Sequence, residues 1–416
     1  MIRATSRKRR RAPVRLIAIV LSVAAVLTAG GILLFGGKPF DPSVPTLAPV
    51  SDTSSNAGGE TSGSVTLDIL AVGDILGHET VLNAGKTSDG YDFEPMYEYV
   101  KPRLEKADLA LCNFEGTMAG PPYTGYPVFS APDAFGAALQ KAGFHVAGFM
   151  NNHTYDKGTV GVDKTLERLR SAGLLPLGIT DQHNQRRYEI REVSGVKIGL
   201  MAITFEIGSS SGVSLNGIPV PSQTAARMNL YNANNIDRDF EKLRPVIEEM
   251  VAGSNLSIML MHWGTEYRTS ADAGQKKIAG LLNGMGVDVI FGAHSHTVQP
   301  YEKITASGST THVYYSLGNF LSNQRQEILN EIGTEDGVIA EITVQYTPGE
   351  NKANVIKAGY TATWTYRSED TTIFKIIPVE QALNNAAQFG VRSDIDLKKL
   401  ADSQKNTDKA LSALNP

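Results

Sequence analysis

Cys112 is the only cysteine in 416 residues, so no disulfide can form within the chain. Its folded part must rest on an apolar core, with any bound metal adding to it. An excess of charge of one sign is also missing. Lys and Arg number 39 against 43 Asp and Glu, a net charge of −4, which excludes a broad basic surface, and no nucleic-acid partner is expected. The chain has no GxxxxGK[ST] loop to cradle nucleotide phosphates, which argues against ATP-driven chemistry. No internal repeat is visible.

Long hydrophobic runs are scarce as well, and the one that occurs is at the N-terminus. Residues 16–35 carry no charge and follow seven basic residues: Arg3, Arg7, Lys8, Arg9, Arg10, Arg11 and Arg15. About twenty residues at ~1.5 Å rise match a ~30 Å hydrocarbon core. A signal peptide has a shorter apolar region of ~7–15 residues, so an uncleaved anchor over 16–36 is expected, with the basic segment 1–15 cytoplasmic. Residues 37–64 hold Pro39, Pro42 and Pro45 and then a Ser/Thr/Gly stretch, which reads as a flexible extracellular linker. The expected topology is a single pass through the cell membrane, with the large C-terminal part outside.

From Val65 onward the pattern changes. Strands are expected over 65–72, 108–112, 145–150, 196–204, 256–261, 287–291, 311–317, 337–346 and 355–365. Helices are expected over 96–106, 131–142, 161–172, 237–251 and 275–285. Strands alternating with helices of ~10–15 residues indicate an α/β domain over 65–365, and its later strands point to a mixed sheet or two packed sheets. Residues 366–416 form a C-terminal extension whose polar tail, 402–416, is expected to be frayed. The polar stretch 207–223 is too long for a routine connection and is a candidate rim for a binding site.

The ligand-capable residues fall at the strand ends. Asp74, Asn113, Glu115, Asn152, His153, His262, His294 and His296 each follow directly on a strand candidate. Loops beyond the carboxyl ends of strands in an α/β sheet converge on one crevice. Imidazole suits zinc or iron, while carboxylate and amide oxygens also suit manganese or magnesium. A carboxylate such as Glu115 is suited to bridge two metal ions. His294 and His296, two residues apart after Gly292, fit a turn on which each histidine serves one metal. His145, His183 and His312 carry little signal, and His78 stands four residues beyond Asp74.

Taken in order, these motifs resemble the CapA family, named for capsule and poly-γ-glutamate synthesis proteins, within the calcineurin-like metallophosphoesterases. The resemblance covers about residues 67–320. It rests on Val72-Gly73-Asp74, Asn113-Phe114-Glu115-Gly116, Asn151-Asn152-His153-Thr154-Tyr155-Asp156-Lys157-Gly158 and His262-Trp263-Gly264-Thr265-Glu266-Tyr267. Further on it rests on Gly292-Ala293-His294-Ser295-His296, Gln299-Pro300 and Tyr315-Ser316-Leu317-Gly318-Asn319-Phe320.

The resemblance implies a metallophosphoesterase-like mixed β-sandwich flanked by helices, here preceded by one transmembrane helix. It also implies two divalent ions (Mn, Zn or Fe). Asp74 and His296 are implied as ligands of one; Asn152, His262 and His294 as ligands of the other, with Glu115 between them. His153 is implied to approach the scissile group. Asp156 either orients it or caps the helix starting near Gly158. Glu266 and Asn113 are expected near the pocket. The chain departs from the superfamily pattern in two ways: Leu76 stands where Asp-x-His has its histidine, and Glu115 replaces the usual Asp. His78 is a candidate to complete the first metal's shell.

The implied biology is a membrane-anchored, extracellular metal-dependent hydrolase or transferase acting on poly-γ-glutamate or another anionic polymer. Its expected surroundings are the cytoplasmic membrane and a polymer synthesis or export complex. Two alternatives stay open: a noncatalytic polymer-binding or assembly component, and a general phosphoesterase.

Overall fold

Two mixed sheets carry the fold. A computed structural model describes residues 63–181, 187–208, 212–306 and 308–414. In the first, eight-stranded sheet, Phe374–Pro378, Asn354–Arg367, Asp336–Tyr346, Val65–Leu76, Leu109–Glu115, Val146–Gly148 and Leu175–Leu177 lie side by side in that order, with Asn319–Leu321 paired to the end of Val65–Leu76. The pairings from Val65–Leu76 towards Leu175–Leu177 are parallel, and those on the other side are antiparallel. The second sheet has seven strands. Its order is Leu230–Asn232, Val196–Glu206, Leu256–His262, Val289–Ala293, Ser309–Tyr314 and Tyr301–Ala306, with Glu189–Val193 added antiparallel to Val196–Glu206. The parallel strands of both sheets are nearly continuous apolar runs, as strands covered on both faces must be.

The expected strands and most of the helices are present. The helix expected over 96–106 is instead a 3-10 turn, Glu94–Tyr97, and a single turn, Lys101–Leu104. Pro95 and Pro102 explain the division, since proline has no amide to donate and fits only a first turn. The tail also differs from expectation. Asp394–Ala410 is helical, begun by Ser393, whose hydroxyl accepts from the Asp396 amide at 3.0 Å. Its buried face consists of Leu400, Ser403 and Thr407, at helical spacing but with only one apolar member, which is why the sequence shows no stripe.

The N-terminal expectation is corrected. No helix among the described residues is long and apolar enough to cross a membrane. The longest, Ile236–Ala252 and Asp394–Ala410, have 17 residues each, and charged side chains interrupt both. Residues 1–15, 16–36 and nearly all of 37–64 lie outside the described residues, as does His183. The transmembrane helix, the membrane as a partner, the extracellular placement and the export complex beside that membrane therefore have no support in the described chain.

Two expectations concern the C-terminal packing. Leu400 is fully buried, so Leu400→Ala is expected to cost about 2–5 kcal/mol, read as a lower urea midpoint at unchanged slope. Burial pushes the Asp336 carboxyl up to about 6, against partial compensation that includes the Asn406 amide donating at 3.1 Å. Its folded pKa then exceeds the unfolded one, so the folded form binds more protons and stability falls as pH rises from ~4 to ~6. Unfolding measured across that window should show a flatter pH dependence in Asp336→Asn than in the parent.

Candidate metal centre

Close backbone packing shapes the floor of the centre. Val65–Leu76 pairs with Leu109–Glu115 in a parallel register that slips between Val72 and Asp74, so Gly73 lies at an irregularity that re-aims Asp74. The chain at Leu317-Gly318 passes directly against Gly73. A Cβ there would fall 2.0 Å from the Gly318 carbonyl, and the Asp74 amide donates to that same oxygen at 2.9 Å. Asn113 and Glu115, two residues apart at the end of their strand, share one face. The Asn113 amide donates to Asp74 Oδ1 at 2.7 Å and lies 3.3 Å from His262 Nδ1, linking the two sheets.

The Gly292–His296 segment turns as expected, and both histidines adopt left-handed backbone conformations (φ +92° at His294, +56° at His296). Such conformations are costly for residues with a Cβ and cluster at functional sites. The turn directs the two rings into different groups. Glu115, His262 and His294 bring one ligand atom each within 4.8 Å of one another, and so do Asp74, Glu115 and His296. Each group can hold a divalent ion, and Glu115 belongs to both. Asn152 adjoins the first group, with Oδ1 2.9 Å from His262 Nε2. His78 belongs to neither.

The donor set fits metal ions on an observation independent of the sequence pattern. Both Glu115 oxygens and His294 Nδ1 are buried without a hydrogen-bond partner, a costly state that a cation would relieve. Burial, followed by the charges of Asp74 and Glu266, holds the Glu115 carboxyl well above its ordinary range. Burial also depresses His262 far below its usual value and His294 to about 3, reinforced in both by neighbouring histidines, so both rings are neutral and ready to ligate. His296 behaves differently. Burial lowers it, but the hydrogen bond and charge of Asp74 more than offset this and leave it raised.

His153 lies on the loop after Val146–Gly148. Asn151 fixes that loop by donating from Nδ2 to the Phe114 carbonyl at 2.7 Å and accepting from the His153 amide at 3.1 Å. His153 Nδ1 is 2.9 Å from Asp156 Oδ2, which also accepts from the Phe129 amide at 2.7 Å. Asp156 thus lies within hydrogen-bond distance of His153, and no side-chain cap is formed at Lys157, where the helix Gly158–Ser171 begins. Beside the centre, a cavity of about 280 Å³ is lined by Asn152, Phe205, Ser214, Asn216, Glu266 and His294, among others. The expected rim, 207–223, supplies Asn216 at the tip of a small hairpin, its amide 3.4 Å from His153 Nδ1. Glu266 is exposed at the mouth.

Sequence reasoning assigned no role to Asn319 or Asn216. Asn319 Oδ1 lies 3.1 Å from His296 Nδ1, while its Nδ2 donates to the Thr334 carbonyl at 2.9 Å, which fixes which end faces the ring. Its signal was the same strand-end position as the others. For Asn216 it was the Asn-Gly pair, a hairpin-turn signature. His145 and His312 are structural: the Ala110 amide donates to His145 Nδ1 at 3.0 Å, and His312 Nδ1 lies 2.6 Å from the Tyr301 hydroxyl.

If Glu115 is shared, Glu115→Gln should weaken uptake of both ions. Asn319→Ala removes only an outer partner of His296 and should cost ~10–100-fold at one position. Calorimetric titration of metal-free protein with Zn²⁺ or Mn²⁺ separates the two outcomes.

Two curated relatives match the chain. The PGA biosynthesis protein CapA of Bacillus subtilis (strain 168) is 26% identical over 271 residues, covering 62% of this chain and 64% of the relative. The capsule biosynthesis protein CapA of Bacillus anthracis is 23% identical over 265 residues, covering 62% and 60%. The chain thus spans less than two thirds of the length of either. Among solved structures, a phosphatase of Mycoplasma pneumoniae is 16% identical and covers 72% of this chain and 94% of that one, with a TM-score of 0.43. A hypothetical protein from Thermus thermophilus is 12% identical and covers 71% and 99%, with a TM-score of 0.40. The family described as bacterial capsule synthesis protein PGA_cap matches residues 68–324, a stretch that includes every residue of both ligand groups, and the chain belongs to that family.

Proposed function

We propose that this protein is a metal-dependent hydrolase or transferase of capsule or poly-γ-glutamate metabolism. The single observation that carries this reading is the pair of ligand groups sharing the buried, unpartnered Glu115. The relatives' names supply the polymer. Asp74, Glu115 and His296 would hold one ion, and Glu115, Asn152, His262 and His294 the other. The mixed nitrogen and oxygen donors suit Mn, Zn or Fe. Bound there, the ions would supply Lewis acidity and lower the pKa of water.

The chain's own residues would do the rest. His153, held at Nδ1 by Asp156, presents Nε2 for a proton or a hydrogen bond to the leaving oxygen or nitrogen. Phe129 packs edge-on against the His153 ring, with centroids 4.7 Å apart, and restricts its rotation. Asn216 closes the same side. Among the described residues, none lining the cavity is Lys or Arg, so an anionic group on the substrate would have to be met by the metal centre rather than by side-chain cations.

A noncatalytic polymer-binding role is favoured by one feature. Leu76, fully buried and paired in register with Glu115, offers no ligand where the superfamily pattern has a histidine.

The decisive test uses purified, metal-loaded protein offered poly-γ-glutamate, cell-wall peptides and phosphoesters. His153→Ala should keep its metal content and lose turnover by ~10²–10⁴-fold. Unchanged turnover would remove His153 from the mechanism. Tight polymer binding without turnover, across metals and substrates, would favour the binding role instead.

A further inference from the structure

The cavity beside the metal centre has one formally charged carboxylate in its described lining and no cation to match it. Asn152 and His294 belong to the centre, Phe205 and Ile207 are apolar, and Ser214 comes from the hairpin strand that leads to the Asn216 turn. The charge is on Glu266. It stands on the loop after Leu256–His262, which is fastened to the histidine turn at both ends. The Trp263 amide donates to the Ala293 carbonyl at 3.3 Å, and the Tyr267 amide to the Ser295 carbonyl at 2.7 Å. Tyr267 takes a left-handed conformation (φ +61°), a costly one for a residue with a Cβ, and its ring lies 5.9 Å from that of His296 between centroids. Thus the loop holds Glu266 at the cavity, although Glu266 makes no hydrogen bond or ion pair with any described residue.

Ser214 is the second acceptor. It is 8% exposed, and its Oγ donates to the Ile207 carbonyl at 2.7 Å. A hydroxyl has one proton, so with that proton committed Oγ can only accept from a further partner. The lining therefore offers a carboxylate and a hydroxyl lone pair to whatever enters. An ammonium group has the complementary set: a positive charge, three donors and no acceptor. An anion would be repelled by Glu266 and would find no donor at Ser214. The volume of about 280 Å³ falls just below the ~300–1,000 Å³ usual for small-ligand sites, which suits one chain end or one side chain rather than a run of polymer. Because Asn152 and His294 line the same space, a group held there lies next to the bond at the metal centre.

We propose that this cavity is a subsite for a primary ammonium group, received by Glu266 and Ser214, so that the substrate presents a free amine beside the reacting bond. The proposal rests on the metal-dependent reading above and adds the substrate class to it. Two sources share this chemistry: the amino end of a glutamate polymer and a side-chain amine of a peptide.

The experiment uses the full chain loaded with zinc, with tri-γ-glutamate and its N-acetylated form as probes in calorimetric titration. The parent should bind the free amine about three- to tenfold more tightly than the acetylated peptide. Glu266→Gln should keep the zinc content of the parent, since Glu266 is in neither ligand group, and should lose that preference by weakening only the free-amine probe. Ser214→Ala should shift the preference in the same direction by less. Equal binding of the two peptides by the parent, binding of neither, a preference retained in Glu266→Gln, or loss of zinc in Glu266→Gln each overturns the proposal. Nα-acetyl-lysine methylamide separates the two sources: weaker binding than tri-γ-glutamate assigns the subsite to the polymer's amino end, and tighter binding to a side-chain amine. The two readings fail separately. If Glu115→Gln takes up zinc like the parent, the shared-ligand reading is wrong. If zinc uptake is as expected and acetylation makes no difference, only the ammonium subsite is wrong.

Discussion

A buried carboxylate with no hydrogen-bond partner is the constraint on which the rest of this structure depends. Glu115 ends a strand that is buried throughout, and neither of its oxygens is satisfied by a protein donor. An isolated charge in that position is too costly to persist, so the group must take up a proton or be met by a cation. The fold gathers histidines around it instead of lysine or arginine. His262 and His294 are kept neutral by burial, and His296 is tied to Asp74. Neutral imidazoles cannot neutralise a carboxylate, but they can complete the shell of an ion that does.

Holding that arrangement has a cost in backbone freedom. Gly73 and Gly292 each sit where a Cβ would lie 2.0 Å from a backbone carbonyl oxygen, of Gly318 and Tyr315 respectively. The chain from Tyr315 to Asn319 is thereby pressed against the ends of one strand from each sheet. The same close approach brings Asn319 beside His296, and the segment that follows brings Asn323 to His78. The left-handed conformations at His294 and His296 are the remaining strain, stabilised by the His294 amide donating to Asp74 and the Tyr267 amide donating to the Ser295 carbonyl.

Much of this centre was legible because its residues belong to strand ends, and strand ends are marked by where an apolar run stops. Asp74, Glu115, His262 and the His294–His296 turn could be listed in that way. The outer partners could not. Asn216 and Asn323 look like ordinary polar residues of loops, and Asn319, though it had the strand-end signal, gave no hint of its partner; only their neighbours in space give them a role. The C-terminal helix escaped for a related reason: Ser403 and Thr407 are buried by the sheet they face and not by any apolar character of their own. The helix expected over 96–106 was lost to Pro95 and Pro102, a local signal outweighed by an apparent periodicity. The membrane anchor was a composition-based expectation of another kind, and no helix of the described chain supports it.

By itself the sequence determined the α/β class and the order of the main strands and marked out candidate metal ligands, because hydrophobic periodicity and side-chain chemistry are local properties. Glu115 between two ions and one histidine of the turn for each were expectations; only tertiary structure decided that these side chains gather into two groups sharing Glu115 and that Asp156 lies within hydrogen-bond distance of His153. These are matters of strand register, sheet packing and backbone strain. They bring together residues such as Asp74 and His296, more than two hundred positions apart, whose proximity no local pattern encodes.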